Sequence, residues 1–92
     1  MRLKIYPNMI PASDIETELL AFLRRDIFSP DTILTPETDL VGAGFDSMSL
    51  VKTLLHLEQK FGKWIPEGEI TNDALANVHA LAATAARILN EP

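Results

Sequence analysis

Apolar residues recur at helical spacing in three stretches of this chain, and no stretch alternates apolar and polar residues long enough to make a strand. Ile15, Leu19, Phe22, Leu23 and Ile27 form the first stripe, and Leu50, Leu54, Leu57 and Phe61 the second. Val78, Leu81, Ala82, Ala85, Ile88 and Leu89 form the third. A period near 3.6 puts each set on one face of a helix. Helices with a single apolar face must bury it against one another, which constrains the chain to a small all-α bundle. Leu3 and Ile5 alternate with charge over too few residues for a strand, so residues 1–12, interrupted by Pro7 and Pro11, read as a loosely held N-terminal arm.

Boundary signals set the limits of each helix. Ser13 followed by Glu16 reads as a capping box, and Asp14, Glu16 and Glu18 suit the positive helix start. Arg24 and Arg25 fall near the far end, and Pro30 stops the helix. The second helix runs from Ser47 to Phe61, with Gly62 as its C′ residue. Its solvated face carries Ser49, Lys52, Thr53, His56, Gln59 and Lys60, while Met48, Val51 and Leu55 line the border with the core. A turn-rich connection through Trp64, read as partly packed, leads to a short helix over about 72–76 with Leu75 inward. Asn77 is a good N-cap for the last helix, 78–89, whose alanines allow close approach. The expected fold is three main helices plus one short helix, in one domain spanning 13–90.

Between the first two helices lies the segment 29–46, with Pro30, Pro36, Gly42 and Gly44. Connections beyond about 12–15 residues are uncommon in compact domains and often functional. Ile33, Leu34, Leu40, Val41 and Phe45 would pin it to the core, making it an ordered loop and not an interdomain linker. It ends in Gly44-Phe45-Asp46-Ser47-Met48, where the second helix begins.

The composition excludes several function classes. A formal net charge of −5 disfavours nucleic acid and anionic membrane surfaces, where affinity depends on neutralising phosphates with Lys and Arg. No cysteine is present, so there is no disulfide framework or thiolate metal site. The opening residues hold no apolar h-region, and no apolar run approaches the roughly 20 residues of a spanning helix, so the expected location is the cytoplasm. Nothing points to an oligomer, and a monomer is expected.

Catalysis and metal binding find no support in the residue pattern. Ser47 is not in a G-x-S-x-G elbow, and His56 lies nine residues on along the same helix, about 13 Å away at helical rise. His79 sits on the polar side of the last helix, so both histidines read as surface residues. Asp39 and Asp46 lack the ligand ladder of a calcium loop, and Gly42 and Gly44 read as turn formers. What remains is Asp46-Ser47, where one residue caps a helix. Free amides and the positive dipole end favour negative charge there, which suits a serine carrying a phosphodiester.

The chain resembles the acyl carrier protein superfamily, the phosphopantetheine-binding carriers of fatty-acid, polyketide and nonribosomal peptide pathways. The resemblance covers about residues 13–90. It rests on Thr38-Asp39-Leu40, Gly44-Phe45-Asp46-Ser47-Met48, the helix Leu50 to Phe61, Gly62, Ile65-Pro66, and Ala76 through Ala82. Met48 stands where the family's Asp-Ser-Leu core has leucine. The resemblance implies that Ser47 carries 4′-phosphopantetheine, delivered from coenzyme A by a phosphopantetheinyl transferase. It implies that Asp46 supports recognition by that transferase, and that the arm's thiol holds an acyl group as a thioester. The chain itself would then be no enzyme. Positions like Met48, Val51 and Leu55 contact partner enzymes in the family, although the same three could equally pack at the core edge.

Carriers of bacterial fatty-acid synthesis have a markedly acidic second helix. Here residues 47–61 hold Lys52 and Lys60 against Glu58 alone. Partners adapted to an acidic helix would meet like charge. The sequence is similar instead to freestanding aminoacyl carrier proteins, loaded by a separate ATP-dependent ligase related to aminoacyl-tRNA synthetases. Lys52 would join Met48, Val51 and Leu55 in meeting that ligase; a small amino acid such as glycine or alanine is the expected cargo, and the downstream acceptor is unspecified. An acyl carrier for fatty-acid or polyketide chemistry is the alternative, and an unmodified helical adaptor is the alternative of another class.

Overall fold

The computed structural model describes residues 9–91, and the regular elements among them are all helical. Helix α1 spans Ala12–Phe22 and runs on into a π turn at Leu23–Ile27. Helix α2 spans Ser47–Phe61, a single 3₁₀ turn covers Glu67–Glu69, and α3 spans Val78–Leu89. The three stripes read from the sequence meet in one core, where Ile15, Leu19, Leu54, Leu57 and Leu81 are fully buried. Helix α1 packs chiefly along α3, and α2 closes the third side.

Two caps lie where the sequence put them. Asn77 is extended and its side chain accepts from the Ala80 N–H at 2.7 Å. Gly62 ends α2 at φ 81°, a left-handed conformation that glycine adopts without a Cβ penalty. The start of α1 is different. Pro11, not Ser13, is the N-cap, and its carbonyl accepts from Asp14 and Ile15. Proline already holds the φ such a position needs, so the helix begins earlier and Ser13 lies inside its first turn. There the Ser13 carbonyl accepts from the Thr17 hydroxyl, and no capping box forms. Ahead of α1, Ile10 exchanges two hydrogen bonds with the Asn90 side chain at the end of α3. The arm assigned to residues 1–12 otherwise lies mostly outside the described residues.

The expected short helix at 72–76 is only a turn, with Leu75 N–H donating to Thr71 and Asn72 and Ala76 N–H to Asp73. The extra helical turn stands earlier, at Glu67–Glu69, directly after Pro66. Leu75 is half-buried against the core, and Ala74 takes the inward position.

The long loop is ordered by specific bonds. Arg24 donates to the Leu34 carbonyl at 2.7 Å, tying the loop to the end of α1. Pro36 accepts from His79 N–H, and Leu40 donates to the Ala76 carbonyl, tying it to the start of α3. Leu34, Leu40 and Phe45 are buried as expected. Ile33 and Val41 are not anchors: they are 85% and 63% exposed. The loop closes in a tight turn in which Phe45 N–H returns to the Leu40 carbonyl. Gly42 is packed so closely there that a Cβ would lie 2.7 Å from an Asp39 carboxylate oxygen, and Gly44 takes φ 108°.

Candidate functional site

The tight turn delivers the chain to the start of α2. Asp46 is extended, and its carboxylate accepts from Ser49 N–H at 2.8 Å and from the Ser49 hydroxyl at 2.9 Å. This decides which member of the Asp46-Ser47 pair is the cap. Asp46 caps; Ser47 is the first helical residue, exposed, and its hydroxyl is not consumed by the cap. The partner Ser49 is a residue the sequence reading placed only on the solvated face. The signal for it was present: an acidic residue three before a serine at a helix start has the spacing of a cap.

Hydrogen bonds from the Ser49 backbone, and next from its hydroxyl, hold the Asp46 carboxyl below the ordinary aspartate range. Asp46 is thus a fixed anion near neutral pH and a poor general base for Ser47. The histidines are engaged elsewhere. His79 bonds Glu16 at 2.9 Å across the α1–α3 contact. His56 is no plain surface residue: its side chain is 17% exposed, bonds Glu18 at 2.7 Å and stacks on Phe22 at 4.3 Å. Thr53, expected in solvent, is fully buried and donates its hydroxyl to the Ser49 carbonyl. It lies three residues after Leu50 and four before Leu57, on their face, and the bond within the helix removes the cost of burying it.

Met48, Val51 and Leu55 are exposed, with Met48 at 62%. They form an apolar line on the outer face of α2, and Lys52 lies beside them in solvent. Trp64 keeps 42% of its surface exposed and is otherwise packed. No helix among the described residues is long and apolar enough to cross a membrane.

An exposed hydroxyl at the first residue of a 15-residue helix, beside free amides and the positive dipole end, is suited to esterification by a phosphate. Among the described residues no side chain is hydrogen-bonded to that hydroxyl, and the two histidines bond Glu18 and Glu16 instead. Ser47 is exposed to solvent, and at Gly44, three residues ahead of it, a Cβ would have nothing within 4 Å.

The comparisons with known proteins agree with this chemistry. The family model described as "Phosphopantetheine attachment site" matches residues 14–88. Domains of that family bear a covalent 4′-phosphopantetheine group and are typically non-catalytic. Among solved structures, the chain is similar to one in the crystal structure of Bradyrhizobium japonicum glycine:[carrier protein] ligase complexed with glycylated carrier protein. The identity is 27% and the TM-score 0.58, over 79% of this chain and 96% of that one. No curated protein matches this chain.

Proposed function

Since the chain belongs to the phosphopantetheine attachment-site family, we propose that Ser47 is the attachment residue and that the arm it bears carries an aminoacyl group. The observation that carries this reading is the exposed Ser47 hydroxyl at the first position of α2, released from capping by Asp46. The carrier domain spans 13–90, preceded by the segment 1–12. A transferase supplies the catalysis: the Ser47 oxygen forms a phosphodiester with the 4′-phosphopantetheine phosphate of coenzyme A, and adenosine 3′,5′-bisphosphate leaves. The bound group supplies a terminal thiol for thioester chemistry. Asp46 holds Ser47 at the helix start and presents a carboxylate for recognition by the transferase.

The aminoacyl cargo is supported by the likeness to a chain crystallised with a glycine:carrier protein ligase and by the charge of α2. Lys52 and Lys60 outnumber Glu58 on that helix, the reverse of what basic docking patches select. Met48, Val51, Lys52 and Leu55 form the contact line for a ligase of this class, and the chain works as a monomeric, non-catalytic carrier in the cytoplasm.

Intact-mass analysis tests the first part. Incubation with coenzyme A and a broad-specificity transferase adds one phosphopantetheine to the wild type and none to Ser47→Ala. Absence of the mass shift in the wild type overturns the carrier reading. The holo protein is then offered ATP with glycine and the Bradyrhizobium ligase, or with a fatty acid and an acyl carrier synthetase. Loading of the fatty acid alone would favour the acyl carrier alternative.

A further inference from the structure

One surface of the molecule is left unused by the attachment chemistry. Between the end of α1 and the middle of α2 lies an open groove of about 480 Å³. Phe22, Arg25 and Asp26 line it from the α1 side, and Lys52, Leu55 and His56 from α2. The π turn builds the first wall. Its wider winding, closed by Phe28 N–H on the Leu23 carbonyl, sends Arg24 to the loop carbonyl of Leu34 and leaves Arg25 on the groove. Such turns are frequent at functional sites.

The groove has an apolar floor and a cationic rim. Phe22 is buried beneath it, stacked against His56, and the Arg25 guanidinium stands 5.8 Å from the Phe22 ring centroid. Leu55 contributes an exposed aliphatic side chain. Lys52 makes no ion pair among the described residues. Arg25 pairs only with its neighbour Asp26, and both are about half exposed, so the pair is weak and open to exchange. Two cations thus face one anion here, on a chain whose formal net charge is −5. Charge of the minority sign gathered around an apolar floor is complementary to a segment bearing carboxylates beside an apolar side chain.

We infer that this α1–α2 groove docks such an acidic, apolar-tipped segment of the ligase that loads the arm, with Arg25 and Lys52 pairing its carboxylates and Phe22 and Leu55 receiving its apolar side chain. The inference rests on the aminoacyl-carrier reading above and extends the contact surface from the outer line of α2 onto α1. Leu55 lies about 12 Å along α2 from Ser47, so one enzyme can hold the groove and meet the arm at its root.

The test uses full-length holo protein with the Bradyrhizobium japonicum glycine:carrier protein ligase, ATP and glycine. Wild type, Arg25→Glu, Arg25→Lys, Lys52→Glu and the control Arg87→Glu are each converted by the transferase, confirmed by mass, and checked for unchanged thermal unfolding. Arg25→Glu and Lys52→Glu are expected to raise KM for the carrier by about tenfold or more, equivalent to about 1.4 kcal/mol, with kcat within about twofold. Arg25→Lys, which keeps the charge, stays within about threefold of wild type, and Arg87→Glu does not change. The wild-type advantage shrinks as salt rises. If the wild type loads and Arg25→Glu loads with the same KM, the groove assignment is overturned while the aminoacyl reading stands. A wild type that takes the arm but accepts neither glycine nor alanine from ligases of this class overturns both, and one that never takes the arm removes the carrier reading itself.

Discussion

Leu40 and Val41 are adjacent in the loop that presents Ser47, and truncating them should have very unequal consequences. Leu40 has 0% of its surface exposed, and Val41 has 63%. Leu40 also sits at a crossing of backbone bonds: its N–H reaches the Ala76 carbonyl, and its carbonyl accepts from Ala43 and Phe45. Leu40→Ala removes buried methyl groups and leaves a cavity that these bonds prevent the loop from closing. The expected cost is about 3 kcal/mol, within the roughly 2–5 kcal/mol spread of buried Leu→Ala changes. A chain of this size has about 5–15 kcal/mol in total, so the variant still folds, with a melting temperature lower by roughly 10–25 °C. Val41→Ala should lie within about 0.5 kcal/mol of wild type. Urea denaturation followed by circular dichroism measures both, with an unchanged m-value showing that the unfolded reference has not moved. A Leu40→Ala cost below about 1 kcal/mol, or equal costs for the two variants, would refute the claim that the loop is anchored through Leu40.

Three further outcomes follow from the helix ends. Asn77→Ala should destabilise the fold by about 1 kcal/mol by leaving the Ala80 N–H without its cap, whereas Asn77→Asp should keep the cap; thermal melts of the two should separate by several degrees. Gly62→Ala forces a Cβ into φ 81° and should cost about 1 kcal/mol, measured by the same melts. The Asp46 carboxyl titrates below its ordinary value of 3.8 because the folded state stabilises its anion. Its stabilising contribution is therefore complete above the ordinary value and lost only as pH falls through the lower folded one. A nuclear magnetic resonance titration of the Ser49 amide should show a midpoint under 3.8, and a midpoint at or above it would contradict the cap geometry.

Local chemistry decides what can be read from the chain before its structure. The ends of α2 and the start of α3 were legible because single side chains make them: Asp46 or Ser47 as a cap, Gly62 in a left-handed turn, Asn77 on Ala80. The start of α1 was not, because a proline carbonyl and a fixed φ do the work and leave no side-chain signature, while Ser13 and Glu16 mimic one. The π turn was equally hidden, since Leu23 and Ile27 continue the apolar stripe whether the winding is α or π. Polarity misled at Thr53, where spacing from Leu50 and Leu57 was the better guide. In the loop no period exists to separate Leu40 from Val41, and only the bonds to α1 and α3 distinguish anchor from surface.

The same distinction runs through the candidate site. An attachment point needs one hydroxyl, one cap and one helix start, all within the four residues from Asp46 to Ser49, so its chemistry can be read in sequence order. A docking surface has no such economy. His56 looked solvated because nothing in its own helix covers it; Phe22 and Glu18 arrive from α1, 34 and 38 residues earlier. Arg25 looked like an ordinary cation at a helix end until the π turn set it beside Lys52. The proposed attachment point is therefore written in one short segment, whereas the proposed docking groove depends on side chains that only packing brings together.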